Sequence, residues 1–145
     1  MREGAEKTVE ALNGFLRGEI SAVETYRQAI EKLGSPVGAQ LEDCRRSHER
    51  RVDKLRDQVA RLGGEPAKDS GAWGAFAKAV EGTAKLFGNT AALKALKEGE
   101  EHGLKDYEDA LHDETLSAIV QSAIRGLISR QRSHIQTLDR LIAAQ

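Results

Sequence analysis

Apolar residues recur along this chain at alternating steps of three and four, the spacing at which one face of a helix meets a neighbouring helix. Four such seams can be followed. The first reads Leu12, Leu16, Glu19, Val23, Tyr26, Ile30, Leu33, and the second Leu41, Arg45, His48, Val52, Leu55, Val59, Leu62. The third reads Leu93, Leu96, Glu100, Leu104, Tyr107, Leu111, and the fourth Ile124, Leu127, Gln131, His134, Leu138, Leu141. Seams this regular belong to helices crossing at shallow angles, so the pattern predicts an all-α antiparallel four-helix bundle. No stretch alternates with the period of a strand.

Glycine and proline place most of the ends. Gly34-Ser35-Pro36 closes a first helix that starts near Ala5, and Gly63-Gly64-Glu65-Pro66 closes a second that starts at Val37. Ala67 to Ser70 reads as loop. A shorter amphipathic pattern follows from Trp73 to Phe87, and Asn89 or Thr90 is placed to cap the third long helix. Neither residue type marks the turn between the third and fourth helices, but an internal repeat does. RSHERRVDKL at 46–55 matches RSHIQTLDRL at 132–141, and Gly18-Glu19, Tyr26 and Ala29 match Gly99-Glu100, Tyr107 and Ala110. The two halves therefore read as related hairpins, 5–62 and 89–144, and their symmetry puts the second turn at about Asp113 to Ser117. The connection 63–88 is longer than antiparallel neighbours need, and fits one long crossover carrying a short helix.

Composition narrows the picture. At 145 residues, 31% charged and 39% hydrophobic, the chain suits one globular helical domain, 1–145. A formal net charge of −1 offers no electrostatic case for nucleic acid or an anionic membrane surface. No apolar run approaches the ~18 residues of a membrane span, and MREGAEKTVEAL has no signal-peptide core. With one cysteine, Cys44, no internal disulfide can form, and the expected compartment is the reducing cytoplasm.

What interrupts the apolar seams is the candidate chemistry. Glu19, Arg45, His48, Glu100, Gln131 and His134 fall at core positions, and hairpin arithmetic sets the Glu and His of each half at similar heights from their turn. Buried together near mid-bundle, such groups must pair with one another or bind something.

The motif Glu19-Ile-Ser-Ala22-Val-Glu-Thr-Tyr26 resembles the first-helix motif of bacterioferritins and rubrerythrins, and the whole chain, crossover included, resembles the ferritin-like pattern. The segments HERRVDKLRDQVARLGGEP and EGEEHGLKDYEDAL are similar to a bacterial ferritin-like family of unassigned function. That resemblance implies Glu19 and Glu100 as terminal carboxylate ligands and His48 and His134 as imidazole ligands, with Tyr26 and Tyr107 supporting them from behind. It also implies a Glu three residues before each His, where this chain has Arg45 and Gln131. With both bridging carboxylates missing, two readings stay open. One is a single transition-metal site (iron, manganese or zinc) for redox or metal handling. The other is a metal-free polar network in which Arg45 supplies the metal's charge and the bundle serves as a structural or interaction module.

The remaining features are expected to be structural. His102 pairs with neighbours on a solvated face, His112 is exposed near a turn, and Cys44 is a small buried residue. Trp73, Phe76 and Phe87 cover an end or side of the bundle, or, if exposed, mark an interface in a homo-oligomer, a dimer being the simplest case. Neither a phosphate-binding glycine loop nor an activated nucleophile is present.

Overall fold

The computed structural model describes residues 3–71, 82–83 and 87–145. Four long helices run through them: α1 Glu3–Leu33, α2 Val37–Arg61, α3 Asn89–Leu111 and α4 Ala118–Ala143, with no strand among the described residues. α1 packs chiefly on α2 and α3 on α4, the two hairpins that the repeat announces, and α1 also touches α3. Among the described residues no helix is long and apolar enough to cross a membrane.

The turns form for local reasons. At the end of α2 the Gly64 N–H reaches back to the Val59 carbonyl at 3.0 Å and Gly63 N–H to that of Ala60 at 3.0 Å, the paired bonds of a Schellman stop. Gly63 sits there at φ 80°, a conformation that a side chain resists. Between α3 and α4, where glycine is absent, Asp113 Oδ1 accepts from the Thr115 N–H and hydroxyl, and Ser117 caps α4 by accepting from Val120 N–H. Short polar side chains do the work of a glycine turn.

Residues 63–71 return along α1. The Asn13 side chain donates to Glu65 O and accepts from Ala67 N–H, and Ser70 donates to Glu24. Eleven residues of α1 separate these anchors, a rise of roughly 16 Å, so residues 63–71 climb the bundle in the way the start of a long crossover requires. Of the expected crossover helix, Trp73, Phe76, Val80 and Leu86 lie outside the described residues, while Phe87 is 74% exposed.

The core is divided. One apolar cluster gathers Leu12, Leu16, Val52, Leu55, Val59 and Ile124 with their neighbours, and the other gathers Ala29, Leu33, Leu41, Leu93, Leu96 and Leu138. Between them lies a level of buried polar side chains: Glu19, His48, Arg51, Glu100, Gln131 and His134. The seams differ from expectation in three spots, one being Leu62, which is 38% exposed just past the end of α2. Ile128 is buried where Leu127 was expected, and on α2 Cys44 and Arg51 turn inward rather than Arg45.

Candidate metal centre

Each member of the polar level is held by a helix whose apolar neighbours bury it. Glu19 lies between Leu16 and Val23 on α1, and Glu100 between Leu96 and Tyr107 on α3; both carboxylates are almost fully buried. The tyrosines cross over. Tyr26 of α1 donates to Glu100 Oε1 at 2.8 Å, and Tyr107 of α3 donates to Glu19 Oε1. This exchange reproduces in space the symmetry of the repeated Gly-Glu…Tyr motifs.

His48 joins the halves. Its Nδ1 lies 2.5 Å from Glu19 Oε2 and its Nε2 2.6 Å from Glu100 Oε1. Burial alone would strip the ring of its proton, but the Glu100 and Glu19 charges outweigh it and lift the pKa from 6.5 to about 9. His48 is therefore an imidazolium that donates to both carboxylates. Burial would likewise raise Glu19, yet the positive His48 and Arg51 hold it down at about 2. Glu100 is held below its ordinary range against burial, first by His48. His134 hydrogen-bonds Glu100, Nδ1 to Oε2 at 3.3 Å, and its ring centroid lies 4.9 Å from that of His48; burial keeps it neutral. Burial and the neighbouring carboxylates keep both tyrosines protonated.

The second cation is Arg51, which the seam reading passed over. It is 1% exposed; its Nη1 donates to Glu19 Oε1 at 3.1 Å and to Gln131 Oε1 at 2.5 Å. Gln131 in turn donates to the Glu100 carbonyl at 3.0 Å, an approach that Gly103 permits, since a Cβ there would lie 2.8 Å from the amide nitrogen. Arg45, the expected charge at this level, instead binds Glu42 and Glu49 at the bundle's edge. The reason is angular. Arg45 and Arg51 each stand three residues from His48, about 60° to either side of it on the helix, so periodicity cannot choose between them. The available signal was the four-arginine run 45–46 and 50–51, which offers both flanks of His48 a cation.

The level is thus charge-balanced: two carboxylates against an imidazolium and a guanidinium. A two-metal centre does not fit these residues. Two divalent ions would meet only two carboxylates and a fixed guanidinium, and the resulting buried excess of positive charge is prohibitive. One ion is a different matter. Donor atoms of His48, Glu100 and His134 lie within 4.8 Å of one another, a buried set of two imidazoles and a carboxylate. Glu19 holds His48 through its other nitrogen, the second contact that orients a ligating imidazole. A cleft of about 380 Å³ between α1 and α3 reaches His48 and Glu100 of this set, lined also by Gly18, Thr25, Gly99, Gly103 and Glu19.

The other histidines stand apart: His102 is exposed and lies 3.6 Å from Asp106, and His112 is exposed. Cys44 is buried, and burial beside Glu100 pushes its thiol up to about 11.

Residues 7–113 match the model of a domain of unknown function, DUF2383. The chain belongs to this family. No curated protein matches it significantly. Among solved structures it is similar to a ferritin-like, diiron-carboxylate protein from Bacillus anthracis str. Ames, at a TM-score of 0.76 and 19% identity over 98% of this chain and 99% of that one. This DUF2383 protein therefore has the ferritin-like fold.

Proposed function

We propose that the central level of this DUF2383 protein is a site for one divalent transition-metal ion. The observation that carries the reading is the convergence of His48, Glu100 and His134 within 4.8 Å in a ferritin-like bundle. The ring nitrogens that now face Glu100 would hold the ion together with its carboxylate. Glu19 fixes the His48 ring, and Tyr26 and Tyr107 orient the two carboxylates. Iron or manganese would supply redox chemistry there, and zinc a Lewis acid. What the chain itself contributes is a preorganised pocket, and its proton is the competitor: His48 Nε2 must give up its hydrogen before it can ligate.

A second reading is favoured by Arg51. The guanidinium and the His48 imidazolium already balance the carboxylates, so the level closes without metal and would then fix helix register in a structural or interaction module.

Elemental analysis of untagged protein purified without chelator separates the two. The metal reading expects about one equivalent, lost in His134→Leu while the helical circular dichroism persists. Less than about a tenth of an equivalent, with no binding of added Fe(II), Mn(II) or Zn(II) at micromolar concentrations, leaves the register-fixing reading standing. Two equivalents would overturn the single-ion assignment.

A further inference from the structure

A second groove, about 190 Å³, lies between α2 and α4. Its lining includes three cations, Arg51, Lys54 and Arg130, and no Asp or Glu. In a chain whose net charge is −1 this is a local excess of positive charge. Among the described residues neither Lys54 nor Arg130 forms a salt bridge. Most of the remaining wall is apolar and includes Phe15, Leu55, Ile124 and Leu127.

Two details go beyond surface charge. Arg51 is buried and spends Nη1 on Glu19 and Gln131, but its Nε and Nη2 have no hydrogen-bond partner. Those two nitrogens form the edge of the guanidinium that grips a carboxylate by two parallel bonds. Unpaired donors on a buried cation are costly and call for an explanation. The other detail is Gly126, inside α4 and on the groove's wall, where an added Cβ would meet nothing within 4 Å. Glycine weakens a helix, and packing does not demand it here; its effect is to leave room.

We propose that this groove binds a small aliphatic carboxylate. The chain of the ligand lies against Phe15, Leu55 and Ile124, and its carboxylate pairs with the free edge of Arg51, while exposed Lys54 and Arg130 attract it at the mouth. Nε and Nη2 are closed off from solvent, so the carboxylate reaches them through rotamer changes of the lining side chains. The inference uses the side of Arg51 turned away from Glu19 and does not rest on the metal reading.

The test is calorimetric titration of metal-free protein at neutral pH with hexanoate, hexanol and inorganic phosphate. Hexanoate should bind saturably at one site, with hexanol and phosphate each weaker by roughly tenfold or more, because charge and chain are both required. Gly126→Leu fills the groove from an open helical position and should cut hexanoate affinity at least about tenfold with the helical signal intact. Lys54→Gln with Arg130→Gln, both at exposed positions, should weaken binding several-fold and flatten its salt dependence. Hexanol binding as well as hexanoate, hexanoate binding unchanged in Gly126→Leu, or no saturation by about 10 mM would each overturn the proposal. So would sedimentation showing a dimer that Gly126→Leu converts to monomer and hexanoate leaves intact, since a second copy would then occupy the groove.

Discussion

Raising the pH should loosen the metal-free protein well before lysines or tyrosines titrate. His48 holds its proton more tightly in the fold than in the unfolded chain, at about 9 against 6.5. Its contribution is therefore complete below pH 6.5 and is lost as the pH rises through 9. A displacement of that size corresponds to about 3 kcal/mol. For a domain of this length the loss lowers Tm by roughly 10 °C. Glu19 works in the other direction. Held at about 2 against 4.5, it stabilises the fold above pH 4.5 and ceases to do so as the pH falls through 2. The two shifts share the His48–Glu19 contact, so they bound one plateau between pH 4.5 and 6.5 and are not to be added. The assay is urea unfolding followed by circular dichroism, with chelator present, from pH 4 to 10. Wild type should lose about 3 kcal/mol between pH 6.5 and 9, and His48→Gln should show no such slope across that interval. Imidazole NMR on the folded wild type gives an independent reading, with one ring titrating near 9. A flat wild-type profile from pH 6.5 to 9, or a His48 ring already neutral at pH 7, would refute the imidazolium bridge.

Arg51→Met removes a positive charge close to the Glu100–His set: divalent-ion affinity should rise by up to roughly ten-thousandfold, a unit charge ~6 Å from a doubly charged ion costing about 5.5 kcal/mol at an effective dielectric near 20. The same variant should unfold more easily when metal-free, since Glu19 loses a buried partner; isothermal titration and urea melts read the two effects. Arg45→Ala, by contrast, breaks only edge pairs with Glu42 and Glu49 and should cost no more than about 1 kcal/mol in the same melts. Tyr107→Phe deletes a donor to a buried carboxylate and should cost about 1.5–3 kcal/mol by urea unfolding. Gly63→Ala, at φ 80°, should destabilise by about 1 kcal/mol through strain at the α2 stop, measured as a lower denaturation midpoint.

Much of this molecule was legible in one dimension. Helix seams, the Gly34 and Gly63 stops and the repeat that located a turn without glycine are local or periodic signals, and the helices end within a residue or two of where these point. The meeting of Glu19, His48, Glu100 and His134 was also legible, because equal distances from two turns put side chains at one height. Other choices depended on how the hairpins rotate against each other. Arg45 and Arg51 flank His48 symmetrically, and only the packing of α2 against α1 and α4 turns Arg51 toward Glu19 and Gln131 and leaves Arg45 with Glu42 and Glu49. The repeat was equally silent on its own asymmetry: His48 bridges both carboxylates while His134 touches one. Periodicity reports the angle and height of each residue on its own helix. Which buried charge meets which is settled by the relative rotation of helices, through contacts between residues 29, 32 and 52 apart in the chain.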